Sequence, residues 1–228
     1  MIYLLSFIGT QTDLSAIIIY ILSTLAVVFL TLPVHEFAHA LTAVTLGDQT
    51  PRYQGRLTVN PFAHIDYTGM LCMVLLGVGW AKPVQINARN FKNPKGGMAI
   101  TAAAGPIANL IMALVAMIIV NILSLFPTAG VTVYYFELFV YYVANMNVYL
   151  AVFNFIPIPP LDGSRLLSAL LPDRIYYKLM RYEQYSFIIL MVLIFALNRA
   201  GFDPIGFISR YVLSGIAYLA HLPFSFVG

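Results

Sequence analysis

Two histidines four residues apart frame an acidic residue in the segment His35-Glu36-Phe37-Ala38-His39. On an α-helix, positions i and i+4 lie on the same face, so both imidazoles would point in the same direction. Two neutral imidazoles on one face can occupy two corners of a tetrahedral zinc site, and Glu36 beside them can act as general base toward a water bound to the metal. The chain has only 4 histidines, so the odds of this pattern arising by chance are roughly one in a few hundred. The pattern therefore predicts a metal site with a catalytic base.

A third protein ligand must come from elsewhere in the chain, because a catalytic zinc ion usually takes three. Asp162 is the strongest candidate, since it closes the proline-rich segment Asn-Phe-Ile-Pro-Ile-Pro-Pro-Leu-Asp-Gly at residues 154–163. Three prolines in four positions cannot continue an α-helix, so Asp162 follows a break in the chain. The alternative is that Asp162 is the N-cap of a helix over residues 163–171. Weaker candidates are His64, His221, Cys72, Asp13, Asp48, Asp66, Glu137, Asp173, Glu183 and Asp203.

The composition places these motifs in a membrane. Of the 228 residues, 61% are hydrophobic and 9% are charged, whereas an ordinary soluble domain has roughly 25% charged residues. So few charges cannot cover a water-facing surface, which excludes a soluble globular domain and a disordered chain. The single cysteine, Cys72, cannot form an internal disulfide, which excludes a disulfide-stabilised secreted scaffold.

Apolar segments predict the membrane spans. Five of them fall at residues 14–34, 98–125, 138–156, 185–197 and 205–222. A sixth, residues 67–79, is about 20 Å long as a helix, which is too short to cross the hydrocarbon unaided. We expect this segment to re-enter or to lie at the interface.

The predicted fold is an all-α polytopic membrane protein of about five to six transmembrane helices with one short re-entrant or interfacial helix. We also expect a small β-hairpin and no helix in residues 50–65, with arms at 52–54 and 56–59 around Gln54-Gly55. A single membrane-embedded domain covers residues 1–228. Its motif-bearing core is residues 14–171, and its C-terminal helices are residues 174–222.

The basic residues predict the orientation. Residues 1–13 and 126–136 contain no lysine or arginine, which is typical of segments outside the cell membrane. The N-terminus is therefore expected outside and the C-terminus inside, with His35 and Asp162 both at the inner ends of their spans. Two clusters mark the cytoplasmic side: Arg52, Arg56, Lys82, Arg89, Lys92 and Lys95, and then Arg165, Arg174, Lys178 and Arg181.

The paired histidine and proline-rich motifs resemble those of the site-2 protease family, peptidase family M50, whose members are intramembrane zinc metalloproteases. The segment Gly105-Pro106-Ile107-Ala108-Asn109 is similar to that family's central-helix motif. Residues 60–66 and 79–84 resemble its compact prokaryotic branch, which lacks a PDZ or CBS domain.

The resemblance implies roles for five residues. His35, His39 and Asp162 would bind one Zn²⁺ per chain, and Glu36 would be the catalytic base. Asn154 would steady the oxyanion or orient the substrate, or it could instead satisfy backbone groups of a neighbouring helix.

Other polar residues keep two interpretations. Asn109 could contact substrate or a neighbouring helix. His64 and Asp66 could form a second metal pair or a gate, or they could sit in an interfacial turn and cap the next helix. His221 and Cys72 are expected to be structural.

The resulting hypothesis is an intramembrane zinc endopeptidase that cleaves transmembrane helices of other proteins, a reaction used in regulated intramembrane proteolysis. The partners are a membrane-protein substrate and the lipid bilayer, with no nucleic acid expected, and the oligomeric state stays open. An edge of the predicted hairpin could pair with the unwound substrate. The alternatives are a metal-ion transporter that uses the same cluster and an inactive membrane scaffold. A transporter has no need for Glu36 between the histidines, and the inverted repeat common in transporters is not evident.

Overall fold

The computed structural model describes residues 14–76, 82–126 and 130–221. Over these residues the chain forms helices joined by turns, without strands. In chain order the α-helices are α1 (Leu14–Thr45), α2 (Thr50–Tyr53), α3 (Pro61–His64), α4 (Tyr67–Leu76), α5 (Pro94–Ser124), α6 (Val131–Asn154), α7 (Asp162–Leu170), α8 (Asp173–Met180), α9 (Glu183–Arg199) and α10 (Pro204–His221). A short 3₁₀-helix, Ala88–Asn90, precedes α5. The predicted all-α class is confirmed.

Three described helices, α1, α5 and α6, are long and apolar enough to cross a membrane. They coincide with the first three predicted spans. The segments Ile188–Arg199 and Pro204–His221 meet at 83° and count as a fourth only if the bent pair is one span. The described chain thus offers three to four candidate spans, and the predicted five to six are not confirmed. Residue 222 of the last predicted span, the N-terminal residues 1–13 and residues 77–79 lie outside the described residues.

Helix α5 is at the centre of the bundle, because it packs against α1, α6, α7 and α10. Small side chains allow this close approach: Ala113 of α5 and Ala144 of α6 are both fully buried in one apolar cluster. The same cluster includes Leu213 and Ile216 of α10. A helix packed this closely can bring its own backbone against a neighbour's side chains.

Helix α1 contains a π-helical turn, Val27–Thr31, directly before the histidine motif. Pro33 has no backbone N–H and cannot continue the ordinary hydrogen-bond ladder, and the N–H of Leu32 bonds to the carbonyl five residues earlier. Asn147 of α6 donates from Nδ2 to Thr31 Oγ1 at 3.2 Å. The turn therefore adjusts the face of α1 just before the two histidines and ties it to α6.

Helix α4 lies in the segment between His64 and Lys82, which we call the excursion. The two ends of this segment lie at one place. It lies beside the Leu14–Ala26 part of α1, and its 10 residues are only about 15 Å long. The N–H of Lys82 donates to the carbonyl of His64 at 2.7 Å. The two ends of the excursion are therefore bonded to each other. This geometry supports the prediction that the segment re-enters.

The predicted hairpin is wrong. Residues 52–53 belong to helix α2, Gln54-Gly55 is a turn, and residues 56–59 form no strand. The prolines of this region do not exclude helix, because they stand in the first turns of α2 and α3, where the missing N–H costs nothing. Asn60 caps α3 by accepting from the N–H of Phe62. Residues 52–59 therefore provide no edge strand for a substrate.

Candidate metal centre

Three side chains converge in the C-terminal half of α1. The Nε2 atoms of His35 and His39 are 3.1 Å apart, and Oδ2 of Asp162 lies 3.3 Å from the first and 3.2 Å from the second. Within the described residues this is the one group of three potential ligands whose donor atoms all lie within 4.8 Å of one another. The two imidazoles predicted to share a face do so, and the carboxylate reaches them from α7.

The distances in this group fit a tetrahedral metal. Zinc binds nitrogen and oxygen ligands at about 2.0–2.1 Å, and the edge of a tetrahedron of that size is about 3.3 Å. The observed separations of 3.1, 3.3 and 3.2 Å are close to that edge. Two imidazoles and one carboxylate are also the donor types of catalytic zinc sites. The three residues therefore suit a zinc ion with a fourth position left for water.

The tautomer of His39 is set by α5. Its Nδ1 lies 2.7 Å from the carbonyl of Thr101, and a carbonyl can only accept, so Nδ1 carries the proton in the neutral ring. The lone pair of His39 Nε2 then faces Asp162 and His35. Such a carbonyl partner on the outer nitrogen is the usual way that a metal-binding histidine is oriented.

The backbone of α5 forms the wall behind both imidazoles. A Cβ placed on Gly105 would lie 2.3 Å from Nε2 of His39 and 2.6 Å from Nε2 of His35. Any side chain at this position would therefore occupy the space of the two donor atoms. The absence of a side chain at this position of the central-helix motif therefore leaves room for the two imidazoles.

Asp162 is placed by the break after α6. The chain leaves helical geometry after Asn154 and resumes it at Asp162, as the prolines predict. A Cβ on Gly163 would lie 2.4 Å from the carbonyl oxygen of Phe155, so the first turn of α7 packs directly on the exit of α6. The alternative N-cap role of Asp162 is not observed, because the N-cap of α7 is Leu161.

Glu36 lies beside the three donors and is not one of them. Its Oε2 accepts a hydrogen bond from the backbone N–H of Val84 at 3.1 Å. Val84 lies outside the helices, in the segment that precedes α5. A carboxylate held through one oxygen keeps its other oxygen available for proton transfer.

The other predicted site residues have mostly local roles. Asn154 donates from Nδ2 to the carbonyl of Leu150 in its own helix at 3.0 Å. Asp66 accepts from Thr68 and Gly69, which confirms that it caps the next helix. Buried His64 lies 2.8 Å through Nε2 from the Thr58 carbonyl. Neither His64 nor Asp66 joins a metal-binding group among the described residues.

Asn109 differs from these residues. It is 1% exposed, and neither side-chain polar atom has a hydrogen-bond partner among the described residues. It lies one turn beyond Gly105 on α5. Contact of Asn109 with substrate or with a neighbouring helix stays a prediction.

Sequence reasoning did not find three contributors to the site: the Thr101 carbonyl, the Val84 N–H and the steric role of Gly105. The first two are backbone groups: every residue carries the carbonyl and every residue except proline carries the N–H, so no residue type marks them. Gly105 was visible in its motif, but only the packing of α5 on α1 reveals what the missing side chain does.

Comparison with known proteins gives consistent matches. Residues 119–197 match peptidase family M50. The chain is 34% identical over 180 residues to the protein named "Putative zinc metalloprotease YwhC" from Bacillus subtilis (strain 168), covering 76% of this chain and 79% of that relative.

Two mycobacterial proteins, each named "Putative zinc metalloprotease Rip2", are also similar. The protein from Mycolicibacterium smegmatis (strain ATCC 700084 / mc(2)155) is 29% identical over 184 residues, which cover 76% of this chain and 68% of that protein. The protein from Mycobacterium tuberculosis (strain ATCC 25618 / H37Rv) is 27% identical over 195 residues, which cover 81% of this chain and 71% of that protein. No solved structure matches.

Proposed function

The chain belongs to peptidase family M50, the site-2 protease family, and on this premise we propose that it cleaves transmembrane helices of other proteins within the membrane. It is a zinc metalloprotease with apolar helices of membrane-spanning length. The proposal adds the substrate class, the ligand set and the identity of the base.

The observation that carries the proposal is the donor triangle of His35, His39 and Asp162. Its edges of 3.1–3.3 Å fit a tetrahedral zinc, and it lies where two candidate spans end. We assign these three residues as the ligands of one zinc ion per chain. Zinc in such a site supplies a Lewis acid that polarises the scissile carbonyl and acidifies water.

Glu36 is the proposed general base. Its Oε2 is held by the Val84 N–H, so Oε1 is the atom that takes the proton from the attacking water. The same oxygen then delivers that proton to the amine of the leaving peptide. A carboxylate fixed beside the donors, yet outside the donor set, has the position that this transfer requires.

Asn154 is the second proposed catalytic residue. Its Nδ2 donates one of its two N–H groups to the carbonyl of Leu150, so the second N–H is the one that would donate to an oxyanion or to the substrate. This assignment comes from the family motif and depends on the bound substrate.

A transmembrane substrate must unwind before its backbone can be attacked, because its carbonyls are hydrogen-bonded within the helix. We place the opening of the site on the cytoplasmic side, with the N-terminus outside and the C-terminus inside. The return of the chain at His64 and Lys82 supports this orientation, because it keeps both basic clusters on one side.

The experiment is cleavage of tagged single-span substrates by the purified zinc-loaded protein in lipid vesicles. We expect mass spectrometry to place the cut inside the apolar segment. Glu36→Gln should lower the rate by about 100-fold or more while one zinc per chain is retained. Zinc flux into vesicles that survives Glu36→Gln, without any cleavage by the wild type, would instead identify a transporter.

A further inference from the structure

The segment before α5 forms a strap across the inner half of α1. We use the name strap for residues 82–93, which follow the excursion of α4 and precede Pro94. Its apolar side chains pack on α1 and on the start of α5, in one cluster of Ala43, Leu46, Ile86, Ala88, Phe91 and Met98. The strap carries the Val84 N–H that bonds to Glu36, so its position determines where that donor lies.

Asp48 ties this strap to the end of α1. Its Oδ2 accepts from the backbone N–H of Asn87 at 2.7 Å, and its Oδ1 accepts from Nδ2 of Asn90 at 2.7 Å. Oδ1 also accepts from the backbone N–H and the hydroxyl of Thr50 at 3.1 and 2.6 Å. The residue is 0% exposed. A buried carboxylate with four donors, two of them from the strap, is a strong and specific anchor.

The backbone places Asp48 at this point. Gly47 has φ of +115°, a value that residues with a side chain rarely adopt, and it ends α1 so that the chain turns toward the strap. A Cβ on Gly47 would lie 3.2 Å from the carbonyl oxygen of Asn90. The turn and the strap therefore fit against each other through backbone as well as through Asp48.

Asp48 is an anion at neutral pH. Burial raises the pKa of its carboxyl group, but the hydrogen bonds from Thr50, Asn90 and Asn87 outweigh this effect and lower the pKa below its usual value. An ionised carboxylate forms shorter and stronger hydrogen bonds than a neutral acceptor.

We propose that Asp48 is a positioning residue for catalysis, which holds the strap at Asn87 and Asn90 and thereby keeps the Val84 N–H on Glu36. Val84 is three residues from Asn87, so an anchor at the second position limits the movement of the first. This inference rests on Glu36 acting as the base, as proposed above. Misplacing a reacting group by about 1 Å can cost about 100-fold in rate, so a loosened strap is expected to slow the chemical step.

Asp66 offers a matched control. Like Asp48 it begins an Asp-x-Thr sequence, and its Oδ1 accepts from the backbone N–H and the hydroxyl of Thr68. Its remaining bond is to Gly69 of the same turn. Asp66→Asn therefore weakens the same local cap without removing a hydrogen bond to the strap.

The test is a double-mutant cycle on the purified protease, with kcat, KM and bound zinc measured for a single-span substrate in lipid vesicles. Asp48→Asn should lower kcat by about 10- to 100-fold, and Val84→Pro, which removes the N–H, should do the same. KM and one zinc per chain should be unchanged in both. The double variant should be no slower than the slower single variant, because both changes act on the same contact, the bond from the Val84 N–H to Glu36.

A control separates positioning from general damage. Asp66→Asn, which changes the matched cap, should retain kcat within about threefold of the wild type. If Asp48→Asn does not fold, Asn90→Ala removes one strap bond and should give a smaller loss of kcat with the same unchanged zinc content.

Wild-type kcat in a folded Asp48→Asn or Asn90→Ala protein would overturn the inference. The inference would also be overturned if the losses of kcat in Asp48→Asn and Val84→Pro multiply in the double variant. Multiplied losses are independent effects, which do not act through one shared contact. Glu36→Gln serves as the reference. Cleavage by that variant would refute the proposed base itself, whereas an inactive Glu36→Gln with a fully active Asp48→Asn refutes only the role of Asp48.

Discussion

At the scale of single residues, the donor atoms and the groups that orient them are encoded differently. His35, His39 and Asp162 could be predicted as candidate ligands because their side chains are of the types that bind zinc and their places in two motifs suit a shared site. The Thr101 carbonyl and the Val84 N–H could not, since a backbone group has no signature in a residue code. The chemistry of the ligands is thus visible in the sequence, while the contacts that fix their tautomer and angle depend on packing.

Gly105→Ala tests whether the backbone of α5 positions the two imidazoles. The added methyl would lie 2.3 Å from His39 Nε2, so an imidazole must move, and we expect cleavage to fall by about 100-fold with weaker zinc retention. The measurements are the cleavage rate and the zinc content of the purified variant.

Gly215→Ala is the matched control for this change. Gly215 lies within α10, and a Cβ there meets nothing within 4 Å, so the substitution gains helix propensity without a clash. Equal activity of the two alanine variants would show that α5 does not constrain the ligands.

At the scale of elements, the apolar runs predicted where the long helices lie. The prediction failed at residues 50–65, where side chains accept hydrogen bonds from the first turns of two short helices. Pro51 and Pro61 favour a break in the sequence pattern, yet each stands in the first turn of a short helix. Before Pro51, the backbone N–H of Thr50 donates to Asp48. Before Pro61, the Asn60 side chain accepts from the N–H of Phe62. A proline therefore predicts a helix boundary but does not indicate which side of that boundary is helical.

The excursion of α4 leads to a topology prediction. Single cysteines at Gln54 and Gln85, in a Cys72→Ala background, should both be protected from a membrane-impermeant thiol reagent in intact cells. Both side chains are exposed and their amides are 2.9 Å apart, so both should react after the membrane is opened.

A cysteine at Val131, at the start of α6, should react in intact cells, because the turn after α5 is predicted to lie outside. Labelling of position 85 alone from outside would mean that residues 67–79 cross the membrane. That result would also place Asp162 about 30 Å from His35, where no shared metal is possible.

At the scale of the whole molecule, the candidate metal centre depends on three helices that are distant in the chain. Helix α1 supplies the imidazoles, α7 supplies the carboxylate, and α5 packs between them with its backbone against the donor atoms. The sequence predicted that the two motifs share one depth, because both follow spans that end on the inner side. It could not predict the angle between α9 and α10, which depends on packing. With that angle, the described residues contain three to four candidate spans.

The central claim is that Asp162 completes the zinc site begun by His35 and His39. The most direct measurement is the zinc content per chain of purified wild type, Asp162→Ala and Asp66→Ala after dialysis against a graded chelator. We predict one zinc in the wild type and in Asp66→Ala, since Asp66 only caps α4. Asp162→Ala should lose zinc affinity by more than the roughly 10- to 100-fold cost of losing an outer-shell partner. Full zinc retention in folded Asp162→Ala, or loss of zinc in Asp66→Ala alone, would contradict the assignment.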